Sequence, residues 1–257
     1  MSLASILENA AARFKDKAAI IYGEQRISFT SLEEDANRMA HALKKLGVKK
    51  GDRVAMLQSS NPEFVVTFFG IMKAGGIAVP LDSRYVADEL EILFKDCTPR
   101  VLVIENPPLA SLLPALDRFK SIGQIITVNA EPDKRFIGYK EIIAKYPASH
   151  VQTEVSPEDT AIISYTGGPT MKPHGVALSH GSVYTEAVNS VIGFEQTEKD
   201  VMMLFALPMY HQFGLTAALL GSFSAGTTVV VVPGTGRSID SFMEAVEKEK
   251  GTIYPGV

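Results

Sequence analysis

Apolar and polar positions along this chain follow two alternating rhythms. Residues 31–46 place Leu32, Ala36, Met39, Ala40, Leu43 and Leu46 on one face at helical spacing, with Gly47 set to cap the end. The apolar run 53–57 then reads as a short buried strand. Asn61-Pro62-Glu63 predicts a helix start, with Asn61 as N-cap and Pro62 at the first helical position. That helix continues through Val65, Phe68, Phe69 and Met72 to Gly75-Gly76. Strands are predicted over 77–81, 101–104, 125–128, 160–165 and 176–178, and helices over 87–95, 139–145 and 242–246. The first residues form an amphipathic helix containing Glu8. Strands alternating with helices predict an α/β fold, doubly wound, with mostly parallel sheets and flanking helices.

One window could pass for a membrane span, because residues 201–236 contain no Asp, Glu, Lys or Arg. Pro208, Gly214, Gly221, Gly226 and Pro233 interrupt it. It divides better into a strand (201–206), a loop, a helix (215–224) and a buried strand (227–232), so no membrane span is expected. The final residues, 252–257, read as another buried strand, cut off.

Composition narrows the picture only a little. The chain has 257 residues, 46% of them hydrophobic and 21% charged, which is ordinary for a globular α/β protein. A net charge of −4 offers no basic footprint for nucleic acid. The single Cys97 excludes a disulfide framework, fits a reducing cytoplasm, and reads as a small packed hydrophobe. The amino terminus lacks a basic leader with an apolar core, so no signal peptide is expected. His41, His150, His174, His180 and His211 show no metal-ligand spacing.

Candidate chemistry concentrates in residues 164–176, Ser-Tyr-Thr-Gly-Gly-Pro-Thr-Met-Lys-Pro-His-Gly-Val. A Gly/Thr-rich loop between two strands exposes backbone N–H groups and hydroxyls around one point, which suits an anion such as a phosphate chain. It is not a Walker loop, because Lys172 leads into Pro173 and not into a helix.

These residues resemble the phosphate loop of the adenylate-forming enzymes, which include acyl-CoA synthetases, luciferases and the adenylation domains of peptide synthetases. The family loop reads Y-T-S-G-T-T-G-x-P-K-G-V. Tyr165, Thr166, Gly168, Thr170, Pro173, Gly175 and Val176 match it. Gly167, Pro169, Met171 and His174 stand where the family has Ser, Thr, Gly and Lys. Gly167 removes a hydroxyl, and Pro169 removes a hydroxyl and an N–H. Met171 replaces the residue type that tolerates positive φ. His174 exchanges a permanent ammonium for an imidazole. The resemblance continues along the chain. Residues 27–32 with 50–55, then Asn61-Pro62-Glu63-Phe64, Lys73-Ala74-Gly75-Gly76 and Val79-Pro80-Leu81-Asp82, resemble the family's first two blocks. Leu207-Pro208-Met209-Tyr210-His211-Gln212-Phe213-Gly214-Leu215 resembles its L-P-x-[FY]-H-x-x-G-L block.

The resemblance implies a ligase that joins a carboxylic acid, a fatty acid by family frequency, to coenzyme A through an acyl-adenylate, using ATP and Mg²⁺. It implies phosphate contacts from Thr166, Gly167, Gly168 and Thr170, with His174 in the place of the family's cation. His211 would lie beside the acyl and thiol tunnels, and Tyr210 reads as a packing residue. The family's adenine loop, Mg²⁺-proximal Thr-Glu pair, ribose-binding Asp and mobile C-terminal domain with its Lys find no match here. The chain is therefore expected to be the N-terminal part of such an enzyme over 1–257, inactive alone and prone to self-association through its truncated edge. The alternative expectation is a degenerate relative that binds without catalysing.

Overall fold

The computed structural model describes residues 1–131, 133–151, 153–166, 174–232 and 239–256. Helix α1 (Ala4–Phe14) buries Ile6, Leu7 and Ala10 on one face. Strands β1 (Ala18–Tyr22) and β2 (Gln25–Ser28) form a hairpin turning at Gly23, φ +59°. Neither strand is legible in the hydrophobic pattern, since β2 is short and largely polar. Ser28 caps α2 (Phe29–Lys45) by accepting from the Ser31 N–H. The C-cap falls at Leu46, and Gly47 follows it at φ +87°.

The middle of the chain follows its pattern closely. Strand β3 (Arg53–Leu57) leads to α3 (Pro62–Ala74), whose Asn61 cap accepts from the Phe64 N–H and whose Gly75 adopts the left-handed conformation. Then come β4 (Ile77–Pro80), α4 (Ala87–Cys97), β5 (Val101–Glu105), α5 (Pro108–Leu112) with a 3₁₀ turn (Leu113–Arg118), β6 (Gln124–Val128), β7 (Ile137–Gly138) and α6 (Tyr139–Lys145). Strands β8 (Thr160–Thr166) and β9 (His174–Ser179) form a second hairpin, followed by α7 (His180–Gly193), which had no sequence assignment.

The uncharged window resolves into β10 (Val201–Leu204), a π-helix (Phe213–Leu220), α8 (Gly221–Ala225) and β11 (Thr228–Val231). The helix expected over 215–224 is thus wider-wound in its first part. After α9 (Ile239–Glu249) the expected terminal strand does not form. Ile253 makes one isolated bridge to Met202, and Tyr254 is 47% exposed. Too few backbone bonds are made there to build a ladder, and Val257 lies outside the described residues.

Two sheets result. One has the order β7-β6-β5-β3-β4-β8-β9, parallel except for β8 with β9. The other has the order β10-β11-β1-β2, parallel except for β1 with β2. Alternation along β3 shows how they are covered. Val54 and Met56 face a central core with α1, α2 and α3, while Ala55 and Leu57 face α4 and α5 on the other side. The central core also holds Ile20, Val229 and Val231 of the smaller sheet, so its helices lie between the two sheets. Phe223 joins this layer, packing edge-on to Phe29 (5.3 Å) and stacked on Phe69 (6.0 Å). Phe242, Ala245 and Val246 of α9 cover Ile21, Met203 and Val230 on the outer face of the smaller sheet.

Candidate active site

A cleft of about 600 Å³ opens where the carboxyl ends of both sheets meet. Tyr22, Leu204 and Val231 reach it from β1, β10 and β11. Ser59 and Ser60 come from the loop after β3, and Asp82, Ser83 and Arg84 from the loop after β4. Ala206, Leu207, Pro208 and Tyr210 complete it from the loop after β10. Open α/β sheets place ligands at this end because loops from several strands converge there and leave backbone groups free.

One rim is a compact polar unit. Asp82 accepts from the Arg84 backbone N–H (2.9 Å), from Nε (3.0 Å) and from the terminal guanidinium nitrogen (2.6 Å). The Tyr210 hydroxyl lies beside Asp82. Burial pushes the Asp82 carboxyl up, but the Arg84 hydrogen bonds and charge, with the Tyr210 hydroxyl nearby, outweigh it and hold the group below its ordinary value. Burial and the Asp82 charge together raise the Tyr210 hydroxyl. Arg84 remains 83% exposed, a fixed cation at the mouth of the cleft. Tyr210 also packs against the central core.

Another wall comes from the segment Leu207-Pro208-Met209-Tyr210-His211, of which Leu207, Pro208 and Tyr210 line the cleft while Met209 and His211 do not. Ala206 enters it at φ +57°, a strained value for a residue with a side chain. The His211 N–H donates to the Pro208 carbonyl (3.1 Å), and the Leu215 N–H donates to the His211 carbonyl (2.9 Å). His211 is exposed at the start of the π-helix, a winding often found at functional sites. The Met209 N–H donates to Ser60 Oγ (2.9 Å), tying this wall to the loop after β3.

Of the loop residues, Thr166 ends one strand of the second hairpin and His174 begins the other. Thr166 pairs across the strands with His174, so the base of the loop is closed by backbone pairing. His174 is exposed there. Gly167, Gly168 and Thr170 lie outside the described residues. Tyr165 anchors the base from below, donating to Asp96 Oδ2 (2.5 Å) at the end of α4. Burial and that hydrogen bond raise its hydroxyl far above the ordinary range. Cys97 is buried beside it, and burial raises the thiol.

Among the described residues, one group could in principle hold a cation: Glu8, Glu33 and His150, whose ligand atoms lie within 4.8 Å of one another. Lys73 Nζ already bridges both carboxylates, at 2.8 and 2.6 Å, with its side chain fully buried. That internal ammonium leaves no fit for a divalent ion. A second cavity of about 600 Å³, lined by Thr127, Asn129, Lys134 and Tyr139, lies beyond the carboxyl end of β6. Among the described residues no helix is long and apolar enough to cross a membrane.

Parallel sheets with a cleft at their carboxyl ends place the chain among ligand-binding α/β proteins of the doubly wound class. The chain belongs to the AMP-binding enzyme family, whose model matches residues 7–257. It is similar to the indoleacetate–CoA ligase of Aromatoleum aromaticum, with 32% identity over 256 residues, covering 98% of this chain and 49% of the relative. To the long-chain-fatty-acid–CoA ligase of Bacillus subtilis it is 27% identical, covering 99% and 50%. The fold is similar to the crystal structure of the anthranilate CoA ligase AuaEII in complex with anthranoyl-AMP, with a TM-score of 0.94, 25% identity and 99% of this chain covered against 49% of that one. The chain spans about half the length of the curated relatives it matches.

Ser60, Asp82, Arg84 and Glu105 carry no role that the sequence pattern alone signals. Asp82 stood in a matched block, and Arg84 two residues on was its only local signal. Ser60 and Glu105 are far from their partners in sequence and carry no motif, so folding alone brings them into play.

Proposed function

We propose that this chain is the N-terminal portion of an ATP-dependent acid–CoA ligase. In that reaction a carboxylate oxygen attacks the α-phosphorus of ATP, and the bond to pyrophosphate breaks to leave an acyl-adenylate. A thiol of coenzyme A then takes the acyl group and AMP departs. The observation that carries the reading is the cleft at the carboxyl ends of both sheets in a chain of this family. Its apolar side, from Leu204, Leu207 and Val231, suits the tail of an organic acid, and a fatty acid is the class we favour.

Bound ATP would supply the phosphorus electrophile, and Mg²⁺ would offset the charge of its phosphates. The closed hairpin base with an exposed imidazole fits such a group. In this reading Thr166, Gly167, Gly168 and Thr170 hold the β- and γ-phosphates by N–H and hydroxyl donation. His174 adds a donor where the family has a charge, and His211 borders the acyl group. Anion-on-anion attack depends on such positioning and neutralisation more than on covalent help. Because the loop lacks two hydroxyls and a fixed cation, the chain alone is proposed to be inactive.

The same departures support a second reading, a relative that binds without catalysing. Fusing the chain to the second half of the Aromatoleum ligase separates the two. Acid-dependent exchange of pyrophosphate into ATP by the fusion, with background exchange by the chain alone, supports the ligase. A folded fusion that binds ATP but never exchanges supports the binding relative, and one that binds no ATP rules out both.

The lone buried Cys97 supports a cytoplasmic location. Self-association near residues 239–256 belongs to the same proposal, since Ile239 is 68% and Met243 56% exposed on α9. Light scattering over a concentration series tests it, and a strict monomer would remove it.

A further inference from the structure

Glu105 ends β5, is 7% exposed, and has no part in the chemistry above. Its two carboxylate oxygens are both used. Oε1 accepts from the Ser59 N–H (2.7 Å), and Oε2 accepts from Asn61 Nδ2 (2.9 Å). Asn61 in turn directs its Oδ1 to the Phe64 N–H (2.8 Å), capping α3. Between these held residues stands Ser60, whose Oγ receives the Met209 N–H from the segment 207–211. No cation pairs with Glu105 among the described hydrogen bonds and ion pairs. The amino end of the long buried helix α3 supplies the favourable potential for a carboxylate there.

We propose that Glu105 is a positioning residue that fixes the two walls of the cleft to each other, acting through Ser59, Asn61 and Ser60 on the Met209 amide. The inference rests on the cleft being the acid site proposed above. A carboxylate is required because both of its partners are donors. Asn61 cannot reverse its amide without surrendering the cap of α3. Glu105→Gln, of the same shape, must therefore turn an NH₂ toward a donor or abandon one bond.

This asymmetry supplies the test. In E105Q, amide hydrogen exchange at Ser59 and Met209 should rise about tenfold more than exchange in the β3 and β5 ladders, the effect of one lost buried hydrogen bond. Adding Asn61→Asp to E105Q restores complementarity. The carboxylate introduced at position 61 still caps Phe64 and accepts from the side-chain NH₂ introduced at position 105, whose oxygen takes the Ser59 N–H. The double variant should return both amides toward their original protection. Ser60→Ala should release Met209 alone. Unchanged exchange at Met209 in E105Q overturns the inference, as does a uniform rise across the chain that N61D fails to reverse. Calorimetric titration with indole-3-acetate and decanoate forms the second readout. Weaker binding by E105Q, recovered by the double variant, is expected. If neither acid binds the unaltered chain, the acid site fails while the exchange data still decide the role of Glu105.

Discussion

Gly214 has no room for a side chain. A Cβ there would come within 2.3 Å of the Pro208 carbonyl oxygen and 2.9 Å of its carbon, both backbone atoms that give way only if the turn itself moves. The matched block thus keeps a glycine because the wall of the cleft crosses the first turn of the π-helix at contact distance. Gly214→Ala should destabilise the chain by about 2 kcal/mol, within the range for forced overpacking, and should shift the Pro208–His211 turn. Thermal melts and exchange at the His211 amide check both effects. His174 poses a different question, because it is exposed and its effect is on a ligand. Replacing it with lysine returns a fixed charge to the hairpin base. ATP affinity measured by calorimetry should increase about tenfold, the size of one charge-assisted contact. No gain would mean that Pro169 limits the loop.

The helices of the central layer depend on one internal ion cluster. Lys73 of α3 reaches Glu8 of α1 and Glu33 of α2, so three elements share a single ammonium. Burial raises the Glu33 carboxyl against the pull of Lys73, which shows how incompletely water serves this site. Lys73→Ala would leave two carboxylates facing each other without a counterion. The expected loss is about 3 kcal/mol, measured by denaturant unfolding. Lys73→Met with Glu33→Leu should recover much of it, because a well-packed apolar group replaces a buried pair at little cost. Phe223→Ala belongs to the same layer. It removes a ring that touches both Phe29 and Phe69, and should destabilise by about 4 kcal/mol.

At the scale of the whole molecule, His180 fastens the amino end of the chain to the start of α7. Its Nδ1 accepts from the Leu3 N–H at 3.2 Å, and the residue is 1% exposed. Burial lowers its pKa from 6.5 to about 4, despite the opposing charge of Asp159. The folded state therefore resists a proton that the unfolded chain takes up near pH 6.5. The stabilisation is complete above that value and is lost as pH falls toward 4. About 2 kcal/mol should disappear by roughly pH 4.5, and His180→Gln should flatten this limb of the pH–stability curve. A limb unchanged by the substitution would assign the acid sensitivity to other groups.

The sequence by itself determined the regular elements whose signals are local. The cap at Asn61, the proline at the first turn of α3 and the alternation along β3 and β5 are written within a few residues of where they act. The same holds for the spaced blocks of the AMP-binding family, which are short stretches of contiguous chain. Tertiary structure alone decided the rest. The β1–β2 hairpin was invisible because its outer strand is short and polar, and pairing with β11 across the length of the chain gives it a place. The expected terminal strand failed for the opposite reason, since an apolar run does not make a ladder without a partner along its whole length. Glu105, Ser60 and Met209 lie tens of residues apart or more, and no periodicity joins them. They meet only because parallel strands bring their carboxyl ends to one edge, where a buried carboxylate must find every donor it needs from whatever the fold delivers.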